Sequence, residues 1–86
     1  MITEQISLEI ATHTGSSRLG LVVGKRVGNA VARVRVKRAI REWFRTRRRH
    51  WARGMDLVVV ARPGAELLST AELWQALELA LARAER

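Results

Sequence analysis

Apolar and polar positions alternate imperfectly from Ile6 to Thr12, with Ile6, Leu8 and Ile10 apolar and Glu9 between them. A period near two predicts a strand with one buried face. Thr14-Gly15-Ser16-Ser17 follows with turn chemistry. Leu19 to Val23 reads as a second, more buried strand, and the short link predicts that the two pair as an antiparallel hairpin. Gly24 and Gly28 then bracket Lys25-Arg26-Val27. Asn29 is a good helix N-cap, and a helix is predicted to continue through about Arg47. Wound at ~100° per residue, this stretch gathers Val36, Ala39, Ile40, Trp43 and Phe44 on one side. Lys37, Arg38, Arg41, Arg45 and Arg48 gather on the other. The apolar side should pack on a sheet and the basic side should face out.

Asp56 to Ala61 is a short β-branched run and reads as a buried strand, ended by Arg62-Pro63-Gly64. Ser69-Thr70-Ala71-Glu72 has the spacing of a capping box, and Leu68 with Leu73 fits a hydrophobic staple. The helix that follows presents Leu73, Trp74, Leu77, Leu81 and Ala84 on one face, which is core chemistry. The predicted order is β-β-α-β-α: an α+β fold, a two-layer α/β sandwich with helices covering a mixed sheet. Eighty-six residues make one small domain, residues 1–86, with no second core.

Charge changes the picture from fold to partner. Sixteen Lys and Arg face eight Asp and Glu, for a net charge of +8. Thirteen of the basic residues and a single acid, Glu42, lie between Arg18 and Arg53. The remainder of the chain is net acidic. Concentrated Arg suits phosphate, because the planar guanidinium fork donates to phosphate oxygens in a fixed geometry. Solubility alone asks for no such one-sided cluster. With 48% hydrophobic residues the chain is not a disordered basic tail. The absence of Cys excludes a disulfide framework and is compatible with a reducing, cytoplasmic setting. Met1-Ile-Thr-Glu-Gln has neither a basic lead nor an apolar core, so no secretion signal is predicted. No apolar run approaches the roughly 20 residues that span a bilayer.

The stretch from Arg18 through Lys25-Arg26-Val27-Gly28-Asn29-Ala30-Val31 to Arg33-Val34-Arg35-Val36-Lys37-Arg38-Ala39-Ile40-Arg41-Glu42 resembles the signature of the bacterial ribonuclease P protein component. Asp56-Leu-Val-Val-Val-Ala-Arg-Pro-Gly also looks like that family's next strand and turn. The likeness runs from about Arg18 to the C-terminus, with many positions agreeing in order and spacing. It implies a fold like the second domain of a small-subunit ribosomal protein, with a left-handed β-α-β crossover where the general rule expects a right-handed one. It also implies a role: a protein subunit, itself not catalytic, that binds the catalytic RNA of the endonuclease and the 5′ leader of precursor tRNA. Arg33, Arg35, Lys37, Arg38 and Arg41 would contact the RNA subunit, and Lys25 and Arg26 would extend that surface. Asn29 and Ala30 would shape the turn into the helix. Arg45, Arg48 and Arg62 complete the expected RNA-binding set. The resemblance departs at two places. Val34 stands where the family has Asn in an Arg-Asn-Arg motif. The family's first helix, which brings aromatic residues to the leader, has no counterpart, so an uncovered sheet face is expected to favour dimerisation.

The sequence offers no protein catalytic set. His13 lies in the predicted turn and His50 in an Arg-rich segment, and both read as exposed. No pair of acids has metal-ligand spacing with a His, so no cofactor is expected on the protein alone; Mg²⁺ would act with the RNA subunit. Trp43 reads as core, while Trp51 is open between core packing and base stacking. Gly24 to Gly28 lacks the pattern of a phosphate-binding loop. Three other readings stay open: a stand-alone or ribosomal RNA-binding protein of similar fold, a duplex-DNA binder and a membrane-surface helix. A DNA reader would want a partner helix before its recognition helix, and the apolar face from Val36 to Phe44 is short for a membrane surface.

Overall fold

The computed structural model describes residues 5–13, 15–51 and 54–85, with the side chain of residue 13 outside that description. Thr14 and Arg53, assigned above to the turn and to the basic block, lie outside the described residues. Three strands, β1 (Ile6–His13), β2 (Arg18–Val23) and β3 (Gly54–Ala61), combine with two helices, α1 (Ala30–Arg47) and α2 (Thr70–Ala84). The chain order is β1-β2-α1-β3-α2, as the hydrophobic pattern predicts. His13 closes β1 rather than lying in the turn.

The predicted β1–β2 hairpin does not form. The sheet order is β1-β3-β2, with β3 antiparallel to β1 and parallel to β2. The reason is which strand is apolar on both faces. Met55, Leu57, Val59 and Ala61 point inward and are buried, while Val58 and Val60 point outward. Such a strand belongs in the middle of a sheet. β1 carries Ser7 and Glu9 outward and β2 carries Gly20, which suits edges. Two strands flanking a third stand about 10 Å apart. A four-residue link reaches at most about 14 Å, so a connection of that length does not force β1 and β2 to be neighbours.

On the inner face Ile6, Leu8 and Ile10 of β1 lie opposite Ala61, Val59 and Leu57. Leu19, Leu21 and Val23 of β2 lie opposite Leu57, Val59 and Ala61. α1 covers the β2 side and α2 the β1 side. Their apolar faces supply Val36, Ile40, Trp43, Leu73, Leu77 and Leu81, each at most 1% exposed. α2 starts at the predicted capping box: Glu72 N–H donates to Ser69 Oγ at 3.1 Å, and Ser69 N–H to Glu72 Oε1 at 2.9 Å. Tryptophan joins the helices, with Trp43 Nε1 donating to Glu78 Oε2 at 2.8 Å and Trp74 Nε1 to the Ala39 carbonyl at 3.0 Å. The outer sheet face shows a narrow apolar strip at Val22 and Val58, which are 52% and 45% exposed. Beside it Arg18 makes a two-pronged contact to Asp56, at 2.9 and 2.7 Å. That hydrogen bond and the opposite charge raise the Arg18 pKa above its ordinary value. No helix among the described residues is long and apolar enough to cross a membrane.

Candidate nucleic-acid interface

The basic surface is built from the loop that enters α1. A 3-10 turn at Lys25–Val27 buries Val27 to 1% and leaves Lys25 and Arg26 exposed. Gly28 follows at φ 149°, where a Cβ would sit 3.0 Å from that of Ala32. Only glycine takes this backbone without strain or a clash. The chain then turns into Asn29, whose Oδ1 accepts from Ala32 N–H at 2.9 Å and caps α1. That bond defines where the helix begins and hence the phase of every later residue.

The phase decides the face. Val36, Ala39, Ile40, Trp43 and Phe44 are buried. Lys37, Arg38, Arg41, Arg45 and Arg48 line the opposite side, with Lys37 half-buried and the others exposed, while Arg33 is half-buried at the margin of the packed face. Arg48 caps the helix C-terminus, so at ~1.5 Å rise per residue the stripe from Lys37 runs about 17 Å. Val34 sits on the same side about one turn before Lys37 and Arg38, at the N-terminal end of the stripe, and is 54% exposed. Glu42, the only acid of α1, accepts from Arg45 Nη2 at 2.7 Å. The bond and the opposite charge raise the Arg45 pKa above its ordinary value. Arg45 and Arg47 in the last turn also offset the negative end of the helix dipole.

Three of the sequence-predicted residues are placed differently from the stripe. Arg35 turns toward the loop before α2, where Nη2 donates to the carbonyls of Glu66 and Leu68 at 2.7 and 2.9 Å. It therefore ties α1 to that loop. Asn29 has its oxygen committed to the cap. Arg62 lies on the β1 side of the fold, in a cleft with Ile6, Leu8, Ala80, Ala84 and Arg83. Arg47, outside the predicted set, turns inward and lies 3.2 Å from Glu78 Oε2. The sequence held no sign of this, because Glu78 is reached only once α2 packs on α1. Trp51 is half-buried and folds back edge-on to Phe44, with ring centroids 5.6 Å apart. His50 is exposed on a short 3-10 turn after α1. No three His, Asp or Glu among the described residues converge to hold a metal ion.

A sequence profile of ribonuclease P matches residues 2–85. The chain belongs to the ribonuclease P protein family. The ribonuclease P protein component of Syntrophobacter fumaroxidans is 61% identical over 57 residues, which is 65% of this chain and 48% of that protein. Its counterpart in Brevibacillus brevis is 43% identical over 68 residues, 79% of this chain and 54% of that protein. The chain thus spans about half the length of the curated relatives it matches. Solved ribonuclease P proteins share the fold. That of Staphylococcus aureus has a TM-score of 0.82 at 35% identity, over 93% of this chain and 74% of its own. That of Thermotoga maritima has 0.77 at 28% identity, over 91% and 78%. The α+β sandwich of mixed sheet and two helices is therefore that of known ribonuclease P proteins.

Proposed function

We propose that this chain binds the RNA subunit of ribonuclease P through the outward stripe of α1 and assists endonucleolytic removal of the 5′ leader of precursor tRNA. The observation that carries this reading is the stripe itself, presented by a member of this family. Lys37, Arg38, Arg41, Arg45 and Arg48 share one helix face, Arg33 lies at its margin, and Glu42 is the only acid of the helix. Lys25, Arg26 and Asn29 extend the surface at its N-terminal end. Phosphate neutralisation by such a face is dominated by counterion release. Arg35 supports the face by holding α1 to the loop that begins α2, and Arg62 adds a second basic point on the β1 side, toward the leader. The protein is not the catalyst in this reading. Phosphodiester hydrolysis of this kind uses Mg²⁺ to activate water and offset charge. In this reading that ion is held with the RNA subunit.

Reconstitution tests the reading. The chain is added to a bacterial ribonuclease P RNA at low Mg²⁺, and cleavage of a 5′-extended tRNA precursor is followed. Enhanced cleavage at the mature 5′ end is expected. Tight binding without enhancement would limit the function to RNA docking. Neither binding nor enhancement would overturn the proposal.

A further inference from the structure

Beside the stripe, between α1 and α2, lies a cleft of about 280 Å³ lined by Arg35, Arg38, Ala39, Glu42, Thr70 and Trp74. Small-molecule pockets run ~300–1,000 Å³, so this one suits a single flat ring system. Its wall is aromatic and oriented in advance. Trp74 is half-buried, unlike Trp43 at 1% exposure, and packs partly on the core. Its Nε1 is already satisfied by the Ala39 carbonyl at 3.0 Å, so the ring offers its apolar surface to the cleft with no polar atom left over. Arg35 is held at the rim by its two bonds to Glu66 and Leu68. Arg38 makes no hydrogen bond or ion pair with any described residue. Glu42 gives Oε2 to Arg45 and keeps Oε1 as an acceptor. Thr70 adds a hydroxyl.

We propose that this cleft takes one unpaired nucleobase of the bound RNA, stacked on Trp74, with its phosphate on Arg38. The proposal rests on the RNA-binding reading of α1. An aromatic plane next to guanidinium groups is the pairing that single-stranded RNA uses, with a cation for the backbone and a π-face for the base. An uncharged apolar ligand would leave the two guanidinium groups without purpose. Glu42 Oε1 accepts hydrogen bonds, so it offers a partner to the exocyclic amine or ring N–H of an unpaired base. Trp74 is then a binding residue at the edge of the docking helix.

The test compares oligoadenylate with an abasic ribose-phosphate chain of the same length, which carries the same charges and no bases. Wild type is expected to bind oligoadenylate more tightly by roughly 5- to 100-fold, the usual effect of one stacked base. Trp74→Leu keeps the apolar packing and should lose most of that difference; Trp74→Phe should keep much of it. Binding of the abasic chain should change in neither variant. In parallel, adenosine 5′-monophosphate titrated into wild-type protein should shift the indole N–H signal of Trp74 and leave those of Trp43 and Trp51 in place. Ribose 5-phosphate should move none of the three. The titration reads the cleft even if Trp74→Leu fails to fold. Oligoadenylate bound equally well by wild type and Trp74→Leu, or a Trp74 signal blind to the nucleotide, would overturn the proposal while leaving RNA docking intact. Wild type that binds neither chain would instead remove the RNA-binding reading itself.

Discussion

Alanine at Arg41 and, separately, at Arg47 separates the two tasks that cations of α1 perform. Both are arginines of one helix, six residues apart in sequence. Arg41 is exposed on the stripe and makes no hydrogen bond or ion pair with a described residue. Arg47 turns inward to Glu78, with side chains 36% and 45% exposed. If each stripe cation neutralises about one phosphate, the five give log Kd against log salt a slope of roughly 3.5 to 4.5. Arg41→Ala should lower that slope by about 0.7–0.9 and leave stability within about 0.5 kcal/mol. Arg47→Ala should leave the slope unchanged. It should cost about 0.2–1 kcal/mol of stability, the range for a solvent-screened pair, with Glu78 still held by Trp43. Fluorescence anisotropy of labelled ribonuclease P RNA across a salt series measures the slopes, and urea unfolding measures stability. Equal slopes for wild type and Arg41→Ala would refute the placement of the stripe. A slope loss in Arg47→Ala matching that of Arg41→Ala would refute the inward role of Arg47.

Restoring the family's asparagine, Val34→Asn, should tighten RNA binding by about 1 kcal/mol, one added hydrogen bond, because Val34 is 54% exposed beside the cations; anisotropy at fixed salt reads it. Gly28→Ala should destabilise by roughly 1–3 kcal/mol, since φ is 149° and the new Cβ meets Ala32; thermal unfolding by circular dichroism checks this. Ser69→Ala should cost about 1 kcal/mol by breaking the capping box at the start of α2, and the same melt measures it, with RNA affinity unchanged.

Local patterns in the sequence settled much of this protein. Asn29 and Ser69 announce both helix starts by side-chain chemistry that needs no tertiary partner, and both form the bonds that chemistry predicts. A period of 3.6 placed Val36, Ile40 and Trp43 inward and Arg38, Arg41 and Arg45 outward, because a helix fixes the phase of its own residues. The ordered run from Arg18 to Glu42 carried the family. Strand pairing was decided elsewhere. Alternation in β1 and β2 marks their buried faces but not their neighbours, and β3, more than thirty residues after β2, inserts between them. Contacts that depend on packing were equally invisible. Arg35 reads as one more basic residue until the loop at Glu66 and Leu68 comes within reach, and Arg47 until Glu78 does. Trp74 reads as core, yet α1 covers only part of it and leaves its ring at the edge of the stripe. Sequence records what each element can present; which surface stays open depends on what packs against it, and that is a property of the folded chain.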